Sequence, residues 1–188
     1  MKQKSLGHLM VDIETMGNGS NSVICSIGAV EFDLFTGQIG RKFYQTINIQ
    51  SCIDLGLKMD GSTVEWWLFQ SLAAREAILK DRVNLPMAIM DFWSFVKNIF
   101  DDEIQVWGNG ARFDLGILSD AFKACAMILP WKHSNERDVR TLVSLNPLIK
   151  KQMPFIGTAH YPIDDCLHQI KYCHKTFTTF NPNHRWHF

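Results

Sequence analysis

The sequence predicts an α/β fold, a mixed sheet in which antiparallel hairpin strands come first, parallel strands follow, and helices flank the sheet. Three observations predict it. Leu9-Met10-Val11-Asp12-Ile13-Glu14-Thr15 alternates apolar and polar residues as a half-buried strand does. A β-branched, apolar run follows from Val23 to Phe32, and the Thr36-Gly37 turn sends the chain back as a third strand. From Ser62 onward, stretches of helical periodicity alternate with short strand-like segments.

The 188 residues read as one domain over 1–178 with a C-terminal tail at 179–188. Apolar residues at 46% and charged residues at 20% are ordinary globular usage and argue against disorder. No apolar run is long enough for a membrane span, and the N-terminus enters the first strand without a signal-peptide core. Five cysteines, an odd count with no C-x-x-C pair, fit the reduced thiols of a cytoplasmic protein. Nineteen Lys and Arg balance nineteen Asp and Glu, which excludes a strong non-specific pull on nucleic acid. Any such binding must rest on local patches or metals.

Taken in order, Met16 to Ser20 is a turn-rich loop, and Arg41 to Ile49 completes the hairpin. Ser62-Thr63-Val64-Glu65 has capping-box spacing and opens a helix bearing Trp66 and Trp67. Helical stretches follow over Leu72–Lys80 and from Pro86 to about Phe100. Ile104–Trp107 is a fourth strand, ended by Gly108-Asn109-Gly110, and a helix runs from Ala111 to about Ala126. Its apolar stripe is Leu115, Leu118, Phe122 and Cys125. Arg137 to Leu142 reads as a short fifth strand turning into a helix, and Pro147 and Pro154 bound a loop. The last helix starts near Pro162 and buries Ile163, Cys166, Leu167, Ile170, Cys173 and Phe177.

The chemistry begins on the first strand. Side chains two apart share a face, so Met10, Asp12 and Glu14 look one way, with the two carboxylates roughly 7 Å apart at the Cα. Read alone, they fit a solvated strand end as well as a cation cradle. Asp114 lies at the edge of its helix's inward stripe, where a carboxylate needs a partner or a metal, although an acid at a helix start also serves the dipole. On the last helix Asp164 shares a solvated face with His168, Lys171 and Lys175, whereas Asp165 shares its stripe with Gln169 and Tyr172. His160 and Tyr161 stand just before that helix, and an imidazole can accept a proton near neutral pH. The late histidines at 168, 174, 184 and 187 lack a spacing that would hold zinc.

Three segments in this order, Asp12-Ile13-Glu14-Thr15, Asn109 to Asp114, and His160 to Asp165, resemble the motifs of the DEDD exonucleases. That superfamily has a ribonuclease H-like fold, which makes the expected sheet a mixed five-stranded one. Thr63-Val64-Glu65-Trp66-Trp67 and Arg137 to Leu142 resemble a smaller DEDDh group containing bacteriophage exonuclease A and a mycobacterial-type 3′-5′ exoribonuclease. The resemblance implies a metal-dependent 3′-5′ exonuclease acting on single-stranded DNA or RNA 3′ ends or overhangs and releasing 5′-mononucleotides. It implies two divalent ions, Mg²⁺ or Mn²⁺, held by Asp12, Glu14, Asp114 and Asp165, with His160 as general base. Both a His branch and a Tyr branch exist, and His160 and Tyr161 satisfy the two spacings onto Asp165. The companion motifs, and a tyrosine pKa near 10, favour His160. An RNA-specific enzyme and a non-catalytic nucleic-acid-binding module on the same fold are the competing readings.

Substrate contacts are expected from Thr15, Met16, Gly17, Trp66, Asn109, Arg112, Asp138 and Arg140, with Arg137, Lys150 and Lys151 as further phosphate candidates. Trp66 and Trp67 point about 100° apart on a helix, so at least one belongs to the core. The likeness to RNase T leaves room for a homodimer, although no interface stripe stands out.

Overall fold

The computed structural model describes residues 5–99 and 103–181, and every structural statement below concerns those residues. They form a five-stranded sheet in the order β3-β2-β1-β4-β5. The strands are β1 (His8–Thr15), β2 (Ile24–Phe32), β3 (Ile39–Thr46), β4 (Gln105–Gly108) and β5 (Glu136–Asp138). The first three are antiparallel neighbours, and β4 and β5 add in parallel beside β1. Eight helices accompany them: α1 (Ile49–Asp54), α2 (Gly61–Leu68), α3 (Leu72–Ala77), α4 (Leu85–Ile99), α5 (Ala111–Ala124), α6 (Val139–Val143), α7 (Pro147–Gln152) and α8 (Pro162–Phe180).

The alternation in β1 sorts its side chains between two cores. Leu9, Val11 and Ile13 join the cluster made with α4 and α5, including Phe92, Leu115 and Phe122. Met10 faces the other way, onto Cys166, Ile170 and Cys173 of α8. Asp12 and Glu14 therefore look toward α8, as the two-residue period requires.

Local boundaries differ from expectation for identifiable reasons. β3 stops at Thr46, because Asn48 caps α1 by accepting the Gln50 N–H at 3.0 Å. The Ser62–Glu65 capping box is not the cap of α2; Asp60 is, accepting the Thr63 N–H at 3.2 Å. The segment expected as a loop between Pro147 and Pro154 holds α7, with Pro147 in its first turn where a missing N–H costs nothing. Phe100, the expected end of α4, lies outside the described residues. So do 182–188 of the expected tail, with His184 and His187, while Thr179 and Phe180 belong to α8.

One close approach positions α8. Gly28 of β2 pairs with Asp12, and a Cβ built on it would meet Pro162 Cβ at 2.4 Å and Ile163 N at 3.2 Å. Only hydrogen fits there, so the start of α8 lies directly on the strand beside Asp12. Cys166 Sγ, 3.6 Å from Met10 O and 3.8 Å from Gly28 O, closes the same seam. Gly28→Ala should push the helix start off the sheet and cost about 1–3 kcal/mol, the usual penalty of overpacking. A urea titration checks this: the midpoint should fall with the slope unchanged.

Candidate active site

β4 pairs with β1 only from His8 to Met10, so the last residues of β1 project past the end of its parallel neighbour. Into that gap comes α5. Gly110, at φ +99°, turns the chain from β4 into the helix. Asp114 lands in the first turn, 3% exposed, and its Oδ1 accepts the Ile13 N–H at 3.4 Å. A side chain on Gly108 would crowd it, since a Cβ there would lie 3.1 Å from Asp114 Cβ. On the other side of β1, its pairing with β2 shifts register between Glu14 and Thr15, a bulge at the strand end.

These elements bring the four expected acids together. Asp12, Glu14, Asp114 and Asp165 line one cavity of about 310 Å³ with His160, Asn109 and Arg140. Ligand oxygens of Asp12, Glu14 and Asp165 all lie within 4.8 Å of one another. Asp165 Oδ2 is buried with no hydrogen-bond partner. Burial, then repulsion from Asp114 and Asp165, raises the Asp12 pKa well above the ordinary value, and the Gln169 amide offsets only part of that. Glu14 is raised for the same reasons, burial first and then Asp12. Burial pushes Asp114 up to about 7 against hydrogen bonds from the Ile13 and Asn109 backbone. Asp165 is pushed up to about 6, again mainly by burial. Oxygen donors that repel each other and include an orphaned one suit a hard divalent cation such as Mg²⁺ or Mn²⁺.

His160 and Tyr161 part company. His160 has a left-handed backbone, φ +64°, and its Nδ1 stands 3.8 Å from Glu14 Oε1. Tyr161 instead packs on Tyr44, ring centroids 4.8 Å apart, in a different cavity with Thr46 and Lys80. Burial lowers the His160 pKa, which favours the neutral ring. The two tryptophans also divide. Trp67 is buried and donates its Nε1–H to Thr15 O at 2.9 Å, tying α2 to the end of β1. Trp66 stays 42% exposed, edge-on to His160 at 4.8 Å, and lines a second cavity of about 350 Å³ with Thr15, Asn18 and Phe113.

The expected substrate contacts fall in several places. Thr15, Trp66, Asn109 and Arg140 line the acid cavity or those adjoining it. Met16 is a core side chain, and Gly17 makes room for Ser22, whose Oγ would lie 2.8 Å from a Cβ there. Arg112 is exposed on α5 and lines none of these cavities. Both Asp138 oxygens are occupied, one by the Ala111 N–H at 2.6 Å and one by the Thr141 N–H at 2.7 Å, which locks α5 to α6. Asp164, expected on a solvated face, accepts the Thr158 N–H at 2.9 Å and secures the loop before His160. Gln169 had no assigned role, although it shares a stripe with Asp165; it donates Nε2–H to Asp12 at 2.7 Å, and its own Oε1 is buried without a partner.

A family model for the 3′-5′ exoribonuclease Rv2179c-like domain matches residues 7–177. The chain belongs to that family. It is 27% identical over 194 residues to an exodeoxyribonuclease of Enterobacteria phage T4, covering 86% of this chain and 85% of the phage protein. Among solved structures, the nuclease domain of 3′hExo, a DEDDh family member bound to rAMP, superposes with a TM-score of 0.63 at 11% identity over 95% of each chain. The Mg²⁺- and Mn²⁺-bound form of S. pombe Pop2p gives 0.64 at 12% identity, over 93% of this chain and 84% of that one. These likenesses show the fold, the ribonuclease H-like fold of the DEDDh exonucleases. Among the described residues no helix is long and apolar enough to cross a membrane, and all five cysteines are free thiols.

For this member of the Rv2179c-like exonuclease family, the burial of Asp114 and Asp165 predicts an unusual pH dependence. Asp114 near 7 and Asp165 near 6 lie above the unfolded value of about 3.9, so the folded state binds more protons between those limits. Their contribution to stability is therefore lost as pH rises from about 4 to 7. Asp114→Asn removes one such group while keeping an acceptor for Ile13. In EDTA the melting temperature of Asp114→Asn minus wild type should grow by about 4 °C or more from pH 4.5 to 8. A constant difference across that range would show that burial does not hold the Asp114 carboxyl protonated.

Proposed function

We propose that this protein is a divalent-metal-dependent 3′-5′ exonuclease that shortens single-stranded nucleic acid from its 3′ end and releases 5′-mononucleotides. The observation that carries the reading is the convergence of four carboxylates, one with an orphaned buried oxygen, beside the His160 imidazole. Asp12, Glu14 and Asp165 would hold one ion, and Asp114 in the same cavity would help hold a second. Two such ions supply an acidified water and neutralise charge on the departing 3′ oxygen. His160, its pKa lowered by burial and its ring edge-on to Trp66, would take the water's proton. Trp66 and Phe113 offer the terminal base an aromatic wall.

The exoribonuclease description of the family and the exodeoxyribonuclease relative differ in the sugar they name, so the assay pairs matched RNA and DNA oligonucleotides. With Mg²⁺ the 3′ end should shorten stepwise, and EDTA or Asp12→Asn should abolish it. Binding without shortening would establish the non-catalytic module instead.

The branch assignment has its own test. His160→Ala should lose roughly 10²–10⁴ of kcat, the usual worth of a general base, while Tyr161→Phe stays near wild type. The reverse pattern would move the base to Tyr161.

A further inference from the structure

Resting on that hydrolytic reading, we propose that the groove between α6, α7 and α8 binds the nucleotide immediately 5′ of the terminal one, together with its phosphates. The groove measures about 370 Å³. Val139, Val143 and Tyr172 give it an apolar floor, and Arg140, Lys150 and Lys151 set positive charge along it. That is the chemistry of a single-stranded polynucleotide, which offers a flat apolar base and a charged backbone. Lys150 Nζ stands 5.4 Å over the Tyr172 ring, and neither Lys150 nor Lys151 has an ion-pair partner within 4.0 Å among the described residues. In a chain of zero net charge, this local patch is where an anionic strand finds attraction.

Continuity fixes the occupant. Asn109 and Arg140 line both this groove and the acid cavity. Ile13, Glu14 and Phe113 are shared in the same way between the acid cavity and the Trp66 cavity. The acids thus lie between two adjoining spaces, one aromatic and one cationic. In-line displacement puts the leaving 3′ oxygen opposite the attacking water. His160 sits on the Glu14 and Trp66 side, so the leaving strand departs on the Arg140 side, into the groove.

The test uses two probes on the full chain with Mg²⁺. A single-stranded 10-mer needs the groove; the p-nitrophenyl ester of thymidine 5′-monophosphate has no upstream nucleotide and does not. Lys150 and Lys151 are exposed on α7, so the pair Lys150→Ala with Lys151→Ala spares the core. It should raise KM for the 10-mer about tenfold and flatten the slope of log KM against log salt by about 1.4, the value for two lost phosphate contacts on a single strand. Hydrolysis of the ester should be unchanged. Ser144→Glu, a carboxylate added at the groove's exposed edge, should act on KM in the same direction. An unchanged KM and salt slope, or an equal loss on both probes, would overturn the groove assignment. Hydrolysis of neither probe by the wild type would bring down the hydrolytic reading and the groove with it.

Discussion

Mutual repulsion among buried carboxylates is the constraint around which this molecule is built. Two full negative charges 4.8 Å apart repel by about 3–4 kcal/mol at an effective dielectric near 20. A domain of this size is stable by only about 5–15 kcal/mol in total. Three or four such acids cannot all stay ionised at one point unless protons or cations compensate. Burial raises the pKa of all four acids, repulsion within the cluster adds to it at Asp12 and Glu14, and the orphaned Asp165 oxygen points to the second remedy.

Holding the acids against that repulsion falls to backbone more than to ion pairs. Three separate elements converge, each seated where a larger residue would not fit or a polar link fixes it. Gly28 lets α8 touch the sheet, and Gly108 leaves room for Asp114. Asp138 ties the first turn of α5 to the first turn of α6, so an acid outside the cavity governs the position of one inside it. Gln169 does the same work between α8 and β1: its amide spans from the helix that carries Asp165 to Asp12. Without such links the carboxylates would relax apart, and the cavity with them.

Much of this was legible in the sequence because strand and helix periods report facing directly. Alternation in β1 placed Asp12 and Glu14 on one face, and the stripe of α8 singled out Asp165 over Asp164. Asp114 was legible as an inward acid, but not the gap beyond β4 that admits it, since strand length and register belong to the tertiary fold. Choosing between His160 and Tyr161, or Trp66 and Trp67, from spacing alone was harder still. Neighbouring residues part there because of a left-handed backbone at His160 and a helical turn of about 100° at the tryptophans. The helix α1 was hidden because Ile47-Asn48-Ile49 alternates like a strand, and only the Asn48 cap betrays it. Asp138 looked like a ligand contact, and the backbone N–H groups that occupy it are invisible in a linear sequence.

Charge balance connects the site to its substrate. Ionised carboxylates in the acid cavity repel a phosphate, and the chain's zero net charge supplies no general attraction to offset this. On the proposed reading a strand would approach only once the cavity's charge is neutralised, and bound phosphate would in turn strengthen the hold on cations. By linkage the two affinities rise together by the same factor. Arg140 lines both spaces, whereas the lysines of α7 line only the groove, displaced along it from the carboxylates. Placing them among the acids would satisfy the carboxylates with ammonium groups and remove the need for a divalent ion. On the proposed reading, the displacement of these lysines from the acids would leave the carboxylates free for metal and the groove free for a polynucleotide.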